Sequence, residues 1–217
     1  MSIFFSFLIL SILSYIFGSI NSSILLSKFF KLPDPRGYGS RNPGATNILR
    51  SGSKIIAFIT LMLDILKGFI TTAVAIYWFE DIIYAQIIGC ITVFGHIYPL
   101  FYKFKGGKGV ATYLGILFAL SIQLAILFIF TWIVVSLIFK YSSVSSIFAS
   151  LTVFFVSIIR EISVPILSKL SDNINELNTI TSSKNSFLLF IFFILIIFTH
   201  RKNISNLKNK TEHKIKL

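Results

Sequence analysis

VATYLGILFALSIQLAILFIFTWIVVSLIF, residues 110–139, runs for thirty positions without a charged side chain. A helix rises about 1.5 Å per residue and a hydrocarbon core is about 30 Å thick, so the stretch is long for one crossing and short for two full ones. If it crosses once, Lys140 emerges opposite Lys108, and parity carries the basic C-terminal tail to that side as well. If it doubles back as a tilted or broken hairpin, Lys140 and the tail return to the side of Lys108. The hairpin gathers sixteen of the 20 Lys and Arg residues on one face, as the positive-inside bias requires. We therefore expect about seven transmembrane helices, with the N-terminus outside and the C-terminus cytoplasmic.

Apolar segments at 3–26, 55–79, 82–101, 144–159 and 187–199 flank this one on either side. Lys28, Lys31, Arg36, Arg41, Arg50 and Lys54 fill the loop after the first, and Lys103, Lys105 and Lys108 precede residue 110. Between the second and third segments stand only Glu80 and Asp81, which sets that turn outside and leaves 160–184 outside too. Of 217 residues 55% are hydrophobic and 13% charged, with a mean hydropathy of +0.84. A water-soluble core cannot hide that much apolar surface, so we expect an all-α integral membrane protein. Residues 1–217 read as one membrane-integral domain, of which 199–217 form a basic cytoplasmic tail, surface-bound or frayed.

The net charge is +12, and a basic balance points either to nucleic acid or to an anionic membrane surface. Here the cations sit in short loops between apolar stretches, so most of the excess orients the chain and no nucleic-acid partner is expected. The single Cys90 lies in an apolar run and excludes a disulfide framework or a CxxC metal site. The first segment lacks a basic leader and a small-residue cleavage pattern, so it reads as a retained span.

Two loops carry chemistry. DPRGYGSRNPGATNILRSGSK, residues 34–54, combines glycines able to turn backbone N–H groups inward with the forked donors of Arg36, Arg41 and Arg50. YKFKGGKGVAT, residues 102–112, places Lys105, Gly106, Gly107, Lys108 and Gly109 at the start of the next helix, where free N–H groups favour phosphate. It is not a nucleotide-binding Walker loop, because Lys108 is followed by Gly109 and not by Ser or Thr. THRKN, residues 199–203, sets His200 at a membrane boundary as a proton acceptor or donor to substrate. KYSSVSS, residues 140–146, adds a weaker group with Ser143 and Ser146. Within the second span Asp64 and Lys67, spaced i,i+3, form an intramembrane pair expected to brace helices more than to do chemistry.

GSI at 18–20, GSRNPGATN at 39–47, LDILKG at 63–68, GHIYP at 95–99, FKGGKGVAT at 104–112 and HRKN at 200–203 make an ordered series across nearly the whole chain. It resembles the bacterial acyl-phosphate:glycerol-3-phosphate acyltransferase family. The resemblance implies a multi-pass inner-membrane enzyme with its active site at the cytoplasmic face and no metal or other cofactor. It would transfer a fatty acyl group from acyl phosphate to the 1-hydroxyl of glycerol 3-phosphate, giving lysophosphatidic acid and phosphate, the first step of phospholipid synthesis. Its partners would be those two substrates and the bilayer. A monomer is expected, with the enzyme that makes acyl phosphate as a candidate partner.

Carried over by position, the family's first motif falls on Arg36, Ser40, Asn42, Asn47 and Arg50, and its phosphate loop on Lys105, Gly106, Gly107 and Lys108. Its serine pair falls on Ser143 and Ser146, and its terminal motif on His200, Asn203 and Glu212. We assign Ser40, His200 and Asn203 to catalysis and the others to binding substrate phosphate, with Ser40 a binding group first and a nucleophile second. One phosphate would lie on Lys105, Lys108 and the Gly106–Gly107 backbone, the other on Arg50, Ser143 and Asn203. The hydroxyl proton would pass to His200 or to an oxygen of the acyl phosphate. Two departures from the family are Asn21, commonly Pro, and Arg41, often Gly. The competing class is a transporter or channel for a phosphorylated solute, using the same loops as a selectivity site.

Overall fold

The computed structural model describes residues 2–170 and 186–215, with side chains for all of these except 164–170. The expected exterior connection at 160–184 lies in large part outside them. Among the described residues all regular structure is helical: α1 (Ile3–Gly18), α2 (Ser22–Phe29), α3 (Ala45–Arg50), α4 (Lys54–Trp78), α5 (Ile82–Ile97), a 3₁₀ turn (Leu100–Tyr102), α6 (Val110–Leu120), α7 (Ile122–Phe139), α8 (Ser142–Leu170), α9 (Ser186–Thr199) and α10 (Arg201–Lys208).

Residues 110–139 do break. Ser121 takes an extended conformation between α6 and α7 and caps the second, its hydroxyl accepting from the Leu124 N–H at 3.4 Å. Tyr113 and Phe128, almost equally far from Ser121 on either side, meet edge to face with ring centroids 5.7 Å apart, so the chain doubles back. The α6 leg has only 11 residues, about 16 Å of helix, half the hydrocarbon thickness. Among the described residues four helices are long and apolar enough to cross a membrane, and two bent pairs, α1 with α2 and α9 with α10, raise that to 6. α6 is a seventh, shorter apolar leg.

The α1–α2 pair bends by 45° at residues 19–21, where the Asn21 side chain accepts from the Ile24 N–H at 3.1 Å and starts α2. An Asn cap thus starts the second helix of the pair at the break.

α4 is central, packing on α1, α2, α3, α5 and α6. It meets α6 closely because glycines stand at the crossings: a Cβ on Gly68 would lie 2.1 Å from the Thr112 carbonyl oxygen, and one on Gly115 would lie 1.9 Å from that of Ile65. Small residues at such contacts let helices associate where no water drives them together. The apolar core gathers Tyr113, Leu117, Phe128, Val153, Phe192 and Ile196. Outside it the pattern inverts that of a soluble protein. Phe4, Phe130 and Ile138 are 65–69% exposed, while Thr60, Thr72 and Thr92 are fully buried. Thr92 donates to the Thr71 hydroxyl at 2.8 Å between α5 and α4, the interhelical bonding expected in lipid.

The tail is not frayed up to Ile215. After α10 the chain folds back: Ile215 N–H donates to the Lys140 carbonyl at 2.8 Å, and Lys214 lies 6.0 Å from the Tyr141 ring centroid. Residues 212–215 form a strap from α10 to the turn between α7 and α8. Of the two readings of the tail, surface-bound or frayed, the second does not hold for residues 212–215, whose polar groups find partners on the protein.

Arg41 is exposed with φ of 56°, a left-handed conformation that strains any side chain bearing a Cβ. Arg41→Gly is expected to raise stability by roughly 0.5–1 kcal/mol, the strain relieved less the added freedom of the unfolded chain. Thermal unfolding in detergent measures this, and a lowered Tm would refute it.

Candidate active site

A cavity of about 690 Å³ opens among α3, α4, α6, α7, α8 and the α9–α10 bend. Its two ends differ in chemistry. Ser40, Asn42, Arg50, Lys108, Ser143, His200, Asn203 and Glu212 line the polar end, and Leu61, Met62, Ile65, Leu114, Phe118, Phe128 and Ile129 line the apolar one. Trp132 stands at the seam, its indole N–H donating to the Ser146 hydroxyl at 3.2 Å. Phe58 on α4 and Ile133 on α7 line the cavity while being 61% and 47% exposed. The cavity therefore opens sideways, between α4 and α7, toward the surface that would face lipid.

Local devices hold several of the polar residues. Gly109, with φ of 82°, turns the chain into α6, and the Thr199 hydroxyl donates to the Lys108 carbonyl at 3.3 Å, tying the glycine loop to the last apolar helix. Burial pushes the half-buried Lys108 ammonium down to about 8, with Glu212 opposing the shift and Arg50 adding to it. Burial likewise lowers Arg50, whose guanidinium donates to the His213 carbonyl of the strap at 3.2 Å. The bend of 53° between α9 and α10 presents His200 and Asn203, which are 2% and 8% exposed. His200 Nδ1 lies 2.7 Å from the Ile196 carbonyl oxygen. A carbonyl can only accept, so Nδ1 carries the proton and Nε2 of a neutral ring keeps its lone pair. The Glu212 carboxylate accepts from Asn203 Nδ2, from the Ser143 hydroxyl at 3.3 Å and from Asn206 Nδ2 at 3.4 Å.

Several expected ligands have other occupations. Arg36 is not among the lining residues; it is locked to Asp34 at 2.6 Å with both side chains nearly half exposed. That bond holds the Asp34 carboxyl below its usual range. Asn47 lines the cavity but spends its amide on the first loop. Its two N–H groups donate to the Pro35 carbonyl at 2.7 Å and the Tyr38 carbonyl at 3.1 Å, and its oxygen accepts from the Ser40 N–H at 3.0 Å. It shapes the loop that carries Ser40. Lys105 is exposed and away from the lining. Gly106 and Gly107 also lie outside it, and their N–H groups donate at 3.1 Å to the Ile97 and His96 carbonyls at the end of α5. They fasten the loop, so the backbone phosphate nest expected there is already engaged. Ser146 donates to the Ser142 carbonyl at 2.8 Å, which leaves its hydroxyl orienting Trp132.

Sequence reasoning missed Trp132, whose indole N–H inside an apolar run had to find an acceptor and was the available signal. It also treated Asp64 and His96 apart, although both line the cavity.

A helical membrane protein with a cationic, hydrogen-bonding pocket above an apolar slot open to the side is built to bring an amphiphile and a small anion together. Comparison with known proteins narrows this class. The sequence profile described as glycerol-3-phosphate acyltransferase matches residues 8–210, and the chain belongs to that family. Among curated relatives, the glycerol-3-phosphate acyltransferase of Pelagibacter ubique is 41% identical over 211 residues, covering 97% of this chain and 98% of its own. That of Ruthia magnifica is 39% identical over 209 residues, covering 96% of each chain. Of solved structures, PlsY (YgiH), an integral membrane glycerol 3-phosphate acyltransferase, superposes in its glycerol 3-phosphate form with a TM-score of 0.80 at 35% identity, covering 97% of this chain and 96% of that one. Its lysophosphatidic acid form gives 0.77 at 35% identity, covering 96% and 95%. Membership in a family of acyltransferases sets the transporter reading aside.

Proposed function

We propose that this protein transfers a fatty acyl group from acyl phosphate to the 1-hydroxyl of glycerol 3-phosphate, releasing lysophosphatidic acid and phosphate at the start of phospholipid synthesis. The observation that carries the reading is the continuity of one cavity from Arg50 and Lys108 to Phe118 and Phe128, cations at one end and an alkyl-sized slot at the other. Family membership fixes the reaction class.

In this reading Lys108 and Arg50 hold the two substrate phosphates against their mutual repulsion, while Ser40, Asn42, Ser143 and Asn203 supply neutral donors. Glu212 positions Asn203 and Ser143 and contributes no phosphate bond of its own. The acyl chain enters between α4 and α7. The mixed anhydride is activated already, so orientation and charge neutralisation are the main work of the site. His200 Nε2 takes the hydroxyl proton as the hydroxyl oxygen bonds to the acyl carbon. The acyl carbon–oxygen bond to phosphate then breaks, and phosphate leaves with the electron pair. Ser40 stays a binding group, since among the described residues no general base bonded to its hydroxyl marks it as a nucleophile.

Purified protein in vesicles, supplied with acyl phosphate and glycerol 3-phosphate, is expected to make lysophosphatidic acid and phosphate in equal amounts. Flux of glycerol 3-phosphate without acyl transfer would overturn the reading.

The same proposal places the polar end at the cytoplasmic face of the inner membrane, with seven crossings, the N-terminus outside, and a monomer as the working unit. Cys90 is buried, so single cysteines at exposed Lys103, Lys208 and Glu80 report topology. In intact cells an impermeant thiol reagent is expected to label only the Glu80→Cys variant; labelling at Lys208→Cys would reverse the orientation of the tail.

A further inference from the structure

Inside the helical bundle, beneath the glycine loop, lies a charged group that the proposed chemistry does not use. Asp64 is 3% exposed on α4. Its Oδ1 accepts from the Ser22 hydroxyl at 2.8 Å and is paired with Lys67 Nζ at 2.9 Å. Lys67 in turn donates to the Ile20 carbonyl at 3.1 Å, in the break between α1 and α2. On the other side of the same oxygen stands His96, in the last turn of α5, with Nδ1 at 3.8 Å and no closer hydrogen-bond partner.

The opposite edge of the imidazole meets the loop. A Cβ built on Gly107 would fall 2.1 Å from His96 Nε2, so only a glycine lets the loop settle on the ring. The His96 carbonyl accepts from the Gly107 N–H at 3.1 Å and the Ile97 carbonyl from the Gly106 N–H at 3.1 Å. The ring is thus a spacer, with a carboxylate on one side and the loop backbone on the other. The residue next to Gly107 is Lys108, the cation at the polar end of the cavity.

We propose that Asp64 and His96 form a positioning pair that sets the height of the glycine loop, and with it the Lys108 ammonium, over the cavity. An i,i+3 ion pair serving only to join helices would satisfy itself without a histidine, and two apolar residues of similar size would join them as well at lower desolvation cost. Asp64 instead lies on the route from the α1–α2 break to Lys108. Ser22 and Lys67 fix its carboxylate, the ring stands against the carboxylate with Nδ1 at 3.8 Å, and Gly107 seats on the ring's other edge. The inference rests on the reading of Lys108 as a phosphate-binding group, and it deepens that reading by naming what aims it.

Removing Asp64 alone would strand Lys67 as a buried cation, so the first test removes both charges. Asp64→Asn with Lys67→Met is expected to fold with a Tm close to that of the parent. It should raise the KM for at least one phosphate-bearing substrate about tenfold while kcat changes less, the pattern of a weakened binding contact. His96→Gln, which leaves the ion pair intact, is expected to raise the same KM by a similar factor, and the triple variant no further, because the groups act in series. Glycerol 3-phosphate binding, followed by its thermal shift, gives a readout independent of turnover. A parent protein that binds and shifts but does not transfer acyl groups would defeat the proposed function and leave this proposal standing. Parental KM and thermal shift in the charge-free double variant, or KM increases that multiply in the triple variant, would overturn it. If the double variant does not survive purification, an unchanged KM in His96→Gln overturns it alone.

Discussion

Lys108→Met is expected to lower kcat/KM by about 10³, the scale seen when a fixed donor to developing or bound charge is removed from a water-poor site. Among the described residues no carboxylate lies within ion-pair distance of this ammonium, so its removal should leave Tm almost unchanged. A loss of activity with matched loss of fold would mean that the lysine is a structural element. The charge is also testable without mutation. Burial brings Lys108 down to about 8, so the cation is complete below that pH and lost as pH rises through it. A phosphate monoester gains its second charge above a pKa of about 6. KM for the phosphate substrates should therefore be lowest between these values and rise on the alkaline side. Lys108→Arg, which holds its proton far longer, should show no alkaline rise. If the rise persists unaltered in that variant, another group is responsible.

His200→Gln should reduce kcat by about 10² to 10³ with little change in KM, since glutamine fills the space and accepts a hydrogen bond but takes no proton. The expectation follows from the Ile196 carbonyl, which fixes the proton on Nδ1 and leaves the lone pair on Nε2. Full activity in this variant would transfer the proton to an oxygen of the acyl phosphate itself.

Hydropathy and loop charge carried the helical architecture, because lipid admits few ways to satisfy a backbone. The break in residues 110–139 was legible in length and charge parity, and Ser121 supplies its mechanism. The grouping of Arg50, Lys108, Ser143, His200, Asn203 and Glu212 was legible as motifs in series but not as one pocket, since these residues come from separate loops that only the bundle brings together. The residues with other occupations share one feature. Arg36 and the Gly106–Gly107 backbone looked like free donors because local sequence shows which groups can bind, and not which already have partners. For Arg36 the partner was in view two residues upstream, at Asp34. For the glycines it lay on the preceding helix, at His96 and Ile97, in the GHIYP motif that had been read only as a family marker. Asn47 lines the cavity and is engaged in the same way: an amide in a loop rich in Gly and Ser is as apt to fold that loop as to face substrate.

The strap at residues 212–215 has a consequence for how the enzyme comes into being. It brings Glu212 to Ser143 and Asn203, and the His213 carbonyl to Arg50. A chain inserted into the membrane helix by helix presents Arg50 early and Lys108 midway through synthesis, but the polar end cannot close until α10 has emerged and turned back. A ribosome stalled anywhere upstream of Glu212 would leave a set of inserted helices without a working centre. Partial products would therefore lack the closed polar end, which the order of translation assembles last.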